Sequence, residues 1–115
     1  MNDLNFNILY DVENTLLQIH NVMTTEDLTP SLKEDILNIS AIQVSRILEL
    51  YWRVNNRKVD YNNKKVYLDN GITMDYNCYE DYIKRLHRAY NDCVDIQKTI
   101  LGEDEYARRV YAQTN

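Results

Sequence analysis

Apolar residues recur along this chain at helical spacing, and one stretch carries more of them than a single packed face can use. Between residues 29 and 57 they fall at Leu32, Ile36, Leu37, Ile39, Ile42, Val44, Ile47, Leu48, Leu50, Tyr51, Trp52 and Val54. A helix of about 27 residues rises about 40 Å. Its apolar positions reach most of the way round the circumference through Ile47 and Trp52, so it needs neighbours on more than one side. That pattern describes the middle helix of a bundle. Thr29 as N-cap and Pro30 at the first helical position mark its start.

A second helix is predicted before it, over residues 3–23. Leu9, Val12, Leu16, Ile19 and Met23 recur at alternating spacings of three and four, with Phe6, Ile8 and Val22 widening the stripe. Asp3 or Asn5 is placed to cap it. The connection through Thr24, Thr25, Glu26 and Asp27 is short, which makes the first two helices antiparallel neighbours. A third helix is predicted over residues 78–101. Tyr79, Ile83, Leu86, Tyr90, Cys93, Gln97 and Ile100 form a heptad-like seam there, with Tyr82, Ala89, Val94 and Ile96 beside or near it. Gly102 reads as the stop, and Glu103, Asp104 and Glu105 open a short last helix through residue 111.

Between the second and third helices the period disappears. Residues 55–65 are polar and poor in helix formers. Asn70-Gly71 then separates two short β-prone runs, Val66-Tyr67-Leu68 and Ile72-Thr73-Met74, which is the signal of a two-residue type I′ hairpin within residues 64–76. The alternative is an ordered loop without a ladder. Only two Gly and one Pro occur in 115 residues, too few for the frequent turns of a sandwich or barrel. The expected architecture is all-α: one domain over residues 1–115, an antiparallel bundle of three long helices plus a short C-terminal helix, with a candidate β-hairpin between helices 2 and 3.

Cys78 and Cys93, on one predicted helix, would lie about 22 Å apart, beyond disulfide reach. Free thiols suit a reducing compartment, and no signal peptide or membrane span is seen, so a cytoplasmic protein is expected. Asn, Ile and Tyr outnumber Ala, Gly and Pro by 34 to 7, a bias toward AT-rich codons that points to a low-GC bacterium or one of its phages or mobile elements.

Enzyme signatures are missing from this reading. Two glycines cannot build a phosphate-cradling loop, and Ser31, Ser40 and Ser45 have no nucleophile-elbow context. His20 and His87 have no Glu or Cys one helical turn away to complete a metal site. No catalytic residue, metal or cofactor is expected.

Charge is the more informative feature. Residues 1–30 carry five acids (Asp3, Asp11, Glu13, Glu26 and Asp27) and no Lys or Arg, which suits helix 1 to a basic groove on a partner protein. Cations concentrate further on at Arg53, Arg57, Lys58, Lys64 and Lys65, interleaved with Trp52, Tyr61 and Tyr67. Cations beside aromatic rings bind phosphates and stack bases, so this 53–65 segment is the alternative site for a nucleic-acid-binding regulator. The blander readings are a solvated acidic face and a favourable helix C-terminus. Ten tyrosines tilt the balance toward protein contacts. Gln97 within the seam, together with the apolar excess of helix 2, is consistent with a homodimer. The expected occupation is a small non-enzymatic binding protein acting through protein–protein contacts, such as an inhibitor, immunity or anti-defence protein of a phage or mobile element, with no membrane partner.

Overall fold

A computed structural model describes residues 6–68 and 71–114. It is mostly helical, with four helices and a small three-stranded antiparallel sheet between the second and third of them. The elements are α1 (Phe6–Thr25), α2 (Pro30–Asn55), β1 (Arg57–Asp60), β2 (Lys65–Leu68), β3 (Thr73–Asp75), α3 (Tyr76–Leu101) and α4 (Glu103–Thr114). The expected caps Asp3 and Asn5 lie outside the described residues.

Local chemistry accounts for where α2 begins and α3 ends. Thr29 is extended, with φ −68° and ψ 160°, and its hydroxyl accepts the Leu32 N–H at 3.2 Å, with Pro30 filling the position that needs no donor. Gly102 takes φ +85°, and its N–H donates to the Lys98 carbonyl at 2.7 Å. That left-handed residue ends α3 and lets α4 start at once. The carboxylate of Glu105 takes hydrogen bonds from Arg108 and Arg109, one turn on, which hold its pKa down at about 2.

The core is built from three alternating stripes. α1 buries Leu9, Val12, Leu16 and Ile19, and α2 buries Ile36, Ser40, Gln43, Ile47, Leu50 and Val54. α3 buries Tyr79, Tyr82, Leu86, Ala89, Cys93, Ile96 and Ile100. The seam of α3 is therefore rotated from the expected one: Tyr90 is 39 % exposed and Gln97 is half-buried. Both rows alternate threes and fours, but the buried row contains no residue that must keep a strongly polar group in water. Burial pushes the Cys93 thiol up to about 11, while Cys78 is exposed, and both thiols are free.

Contacts between helices fix their order. Glu13–Arg85 and His20–Asp92 step along α1 and α3 in the same direction, whereas Val54–Tyr79, Tyr51–His87 and Ser40–Gln97 step along α2 and α3 in opposite directions. The buried Tyr79 hydroxyl donates to the Val54 carbonyl at 3.1 Å, satisfying one of the C-terminal carbonyls that α2 leaves open. Gln97 does not project toward a second chain. Its Nε2 donates to the buried Ser40 hydroxyl at 3.2 Å, and that hydroxyl donates to Leu37 O at 2.9 Å.

The sheet, in order β1-β2-β3, holds one more strand than the expected hairpin. Asp60 makes the first turn: its carboxylate accepts the Asn63 N–H at 3.1 Å and Asn63 Nδ2 at 2.7 Å, bonds that hold its pKa below the usual range. Lys64 closes that turn at φ +56°, and its carbonyl accepts the Tyr76 N–H. The second turn differs from a two-residue type I′ loop. Gly71, at φ +87°, donates to Leu68 O, and Leu68 N–H donates to Ile72 O, so three residues separate the paired ends. Alternation then sends Val66 and Leu68 into the core and leaves Tyr67 outside.

Two substitutions test this packing. Tyr79→Phe removes the bond to Val54 O and is expected to cost about 1 kcal/mol in urea unfolding. Gln43, 4 % exposed, uses its Nε2 on Ile39 O, while its Oε1 has no hydrogen-bond partner among the described residues. Gln43→Leu is therefore expected to stabilise the fold by about 1 kcal/mol, and a loss of that size would mean that the oxygen is satisfied.

Candidate functional site

The acids expected to form one binding face are dispersed. Asp11 and Glu13, two residues apart on α1, point about 200° apart around the helix. Asp11 is exposed on the side of α2, in a cleft of about 220 Å³ lined also by Ile8, Arg46, Glu49, Leu50 and Arg53. Glu13 turns to α3, where Arg85 grips it with two bonds, Nη2 to Oε1 at 2.5 Å and Nε to Oε2 at 3.0 Å. The hydrogen bond to Glu13 raises the Arg85 pKa further. Glu26 and Asp27 are exposed past the other end of α1, about 22 Å from Asp11 along the axis. Asp3 lies outside the described residues.

The basic segment is gathered more closely, but much of its charge is already answered. Arg53 Nη2 donates to Glu49 at 2.9 Å. Lys65 Nζ donates to Asp75 at 2.6 Å, and across the ladder Lys65 also faces Asp60. Arg57 donates to Asn55 O at 3.0 Å and places its guanidinium 5.7 Å from the Tyr79 ring centre. Among the described residues, the side chains of Lys58 and Lys64 make no hydrogen bond or ion pair, and both residues are exposed. Lys58 stands opposite Tyr67 on the outer face of the sheet. Tyr61 packs instead on Tyr76, ring centres 6.0 Å apart. Trp52 is 67 % exposed on α2.

The histidines are engaged by single partners. His20 Nε2 and Asp92 Oδ1 are 2.6 Å apart, and His87 Nε2 meets the Tyr51 hydroxyl. Among the described residues, no group of three or more His, Cys, Asp or Glu is placed to hold a metal ion. A cleft of about 570 Å³ lies between β3 and the start of α3; its lining includes Lys65, Asp75, Asp81 and Arg85 as alternating charges, beside Cys78. No described helix is long and apolar enough to cross a membrane.

The feature that the sequence reading did not single out is the outward side of α2. Its excess of apolar residues was expected to meet neighbours, and α1 and α3 do cover two sides. Among the described residues, the third side stays open. Ile42 and Leu48 are each 54 % exposed there, about three turns and one turn before Trp52 respectively. The signal was present as an apolar count too high for one stripe, but the count does not say which side remains uncovered. A scan against known protein families and searches of curated proteins and of solved structures find no match.

The salt dependence of nucleic-acid binding reads how many of these cations can engage phosphate. If single-stranded DNA binds through Lys58 and Lys64 alone, log K against log salt should have a slope of about −1.4. Asp75→Asn, which releases Lys65, should steepen it by about 0.7. An anisotropy titration giving a wild-type slope of about −3.5 would instead mean that all five cations engage phosphate.

Proposed function

We propose that this chain works by binding another protein, without chemistry of its own, on a rigid frame in which α1, α2 and α3 form an antiparallel bundle. The order of side-chain contacts between the helices supports the frame. One observation carries the binding reading: large apolar side chains, Trp52 and Leu48 foremost, stand in water on the outward side of α2. Leu48 and Trp52, one turn apart, share that side, and Trp is the residue type most enriched among binding anchors. The dispersal of the α1 acids favours α2 over α1 as the contact surface. The AT-biased composition and small size make an inhibitor, immunity or anti-defence protein of a phage or mobile element the proposed occupation, in the cytoplasm.

A second reading rests on Lys58 beside Tyr67 on the open face of the sheet, a pair suited to phosphate and base. Capture from a lysate of an AT-rich bacterial host, with and without nuclease, separates the two. A protein retained after nuclease, and lost with Trp52→Ser but not with Arg57→Glu plus Lys58→Glu, is the expected result. Recovery that vanishes with nuclease and with the Arg57/Lys58 change would transfer the function to the sheet.

A further inference from the structure

This inference rests on the reading of the outward side of α2 as a protein-binding surface. We infer that its occupant is α2 of a second copy of this chain, laid antiparallel across a twofold axis near Val44. Helical phase sets the register of such a pair. Eighteen residues make five full turns, so Asp35 and Arg53 share one azimuth, and Glu34 and Trp52 share another. The midpoint of Asp35 and Arg53 is residue 44. A dyad there brings Asp35 of each copy against Arg53 of the partner subunit, twice over, and keeps both pairs on the same flank of the contact.

Size follows the same symmetry. Ala41 and Ser45, small and exposed, occupy the middle of the outward side, while Leu48 and Trp52 extend from its C-terminal half. Antiparallel crossing about residue 44 sets Leu48 of one copy beside Ala41 of the partner subunit, and Trp52 between Glu34 of the partner subunit and Asn38 of the partner subunit, so bulk meets small residues next to the axis. The small residues allow the two helices to approach closely at the axis. Glu49, which accepts from Arg53 at 2.9 Å within the chain, stays beside that guanidinium and shares it with Asp35 of the partner subunit.

The parallel arrangement fails on charge. It stacks Arg53 on Arg53 and Asp35 on Asp35, and it aligns the helix dipoles unfavourably. The antiparallel contact is isologous and closes on itself, so it yields a dimer and no filament.

Sedimentation equilibrium of the full chain over roughly 5 to 500 µM reads this directly. The expected result is a concentration-dependent rise from 13.7 kDa to twice that mass. Trp52→Glu should abolish the rise. Asp35→Arg and Arg53→Asp should each weaken association by about 10-fold or more, and the two together should restore it to within about 3-fold. These side chains are exposed or half-buried, and a helical circular-dichroism spectrum for each variant keeps the comparison among folded chains. A chain that stays at 13.7 kDa throughout overturns the inference, as does a dimer indifferent to Trp52→Glu or not restored by the paired charge exchange. A monomer that still captures a different protein in a Trp52-dependent way refutes the second copy and leaves the binding reading standing. A monomer that captures nothing through Trp52 refutes both.

Discussion

Burial of the α2 stripe from Ile36 to Val54 is the constraint on which the rest of this structure depends. α2 meets both other long helices, and its buried row supplies the surface against which the stripes of α1 and α3 are phased. Because that row alternates fours and threes, each neighbour can follow it only by presenting a matching row. The row contains two polar residues, and they are handled differently. Ser40 is enclosed by Leu37 O and Gln97, whereas Gln43 spends its amide on its own helix. One polar site therefore ties α2 to α3, while the other contributes little beyond filling space.

The sheet is attached to this core by a few residues. Val66 and Leu68 drop from β2 into the helical interior, and Tyr76 N–H to Lys64 O joins the first hairpin to the start of α3. Tyr79 completes the join by reaching the last carbonyls of α2. The outer face is left with alternating charge, Asp60, Lys65 and Asp75 across three strands. Cross-strand pairing of opposite charges suits a small solvated sheet. The same pairing removes Lys65 from any basic patch.

Charge segregation along the chain thus dissolves in three dimensions. Acids of α1 and cations of α3 that look isolated in sequence meet as the Glu13–Arg85 fork, 72 positions apart. What survives as an unmet demand is apolar: the third side of α2. The physical interest of the molecule shifts accordingly from electrostatic attraction to desolvation as the source of affinity, with charge serving to set register and orientation.

Local features were legible from the residues alone. The four helices, the Thr29-Pro30 start, the Gly102 stop and a reversal at Gly71 depend on backbone chemistry within a turn or so of each residue. The phase of the α3 seam, the strand β1 and the partner of every buried or half-buried charge were not. Two rows on α3 alternate threes and fours equally well, and only contact with α1 and α2 selects the one containing Ala89 and Ile96. β1 has no period of its own because four residues become a strand by pairing with β2, which tertiary contact and the Asp60 turn supply. Sequence alone determined that α2 carries more apolar surface than one neighbour can cover. Which side stays open was decided only when α1 and α3 took their places, because coverage belongs to the packed assembly of helices and not to any one of them.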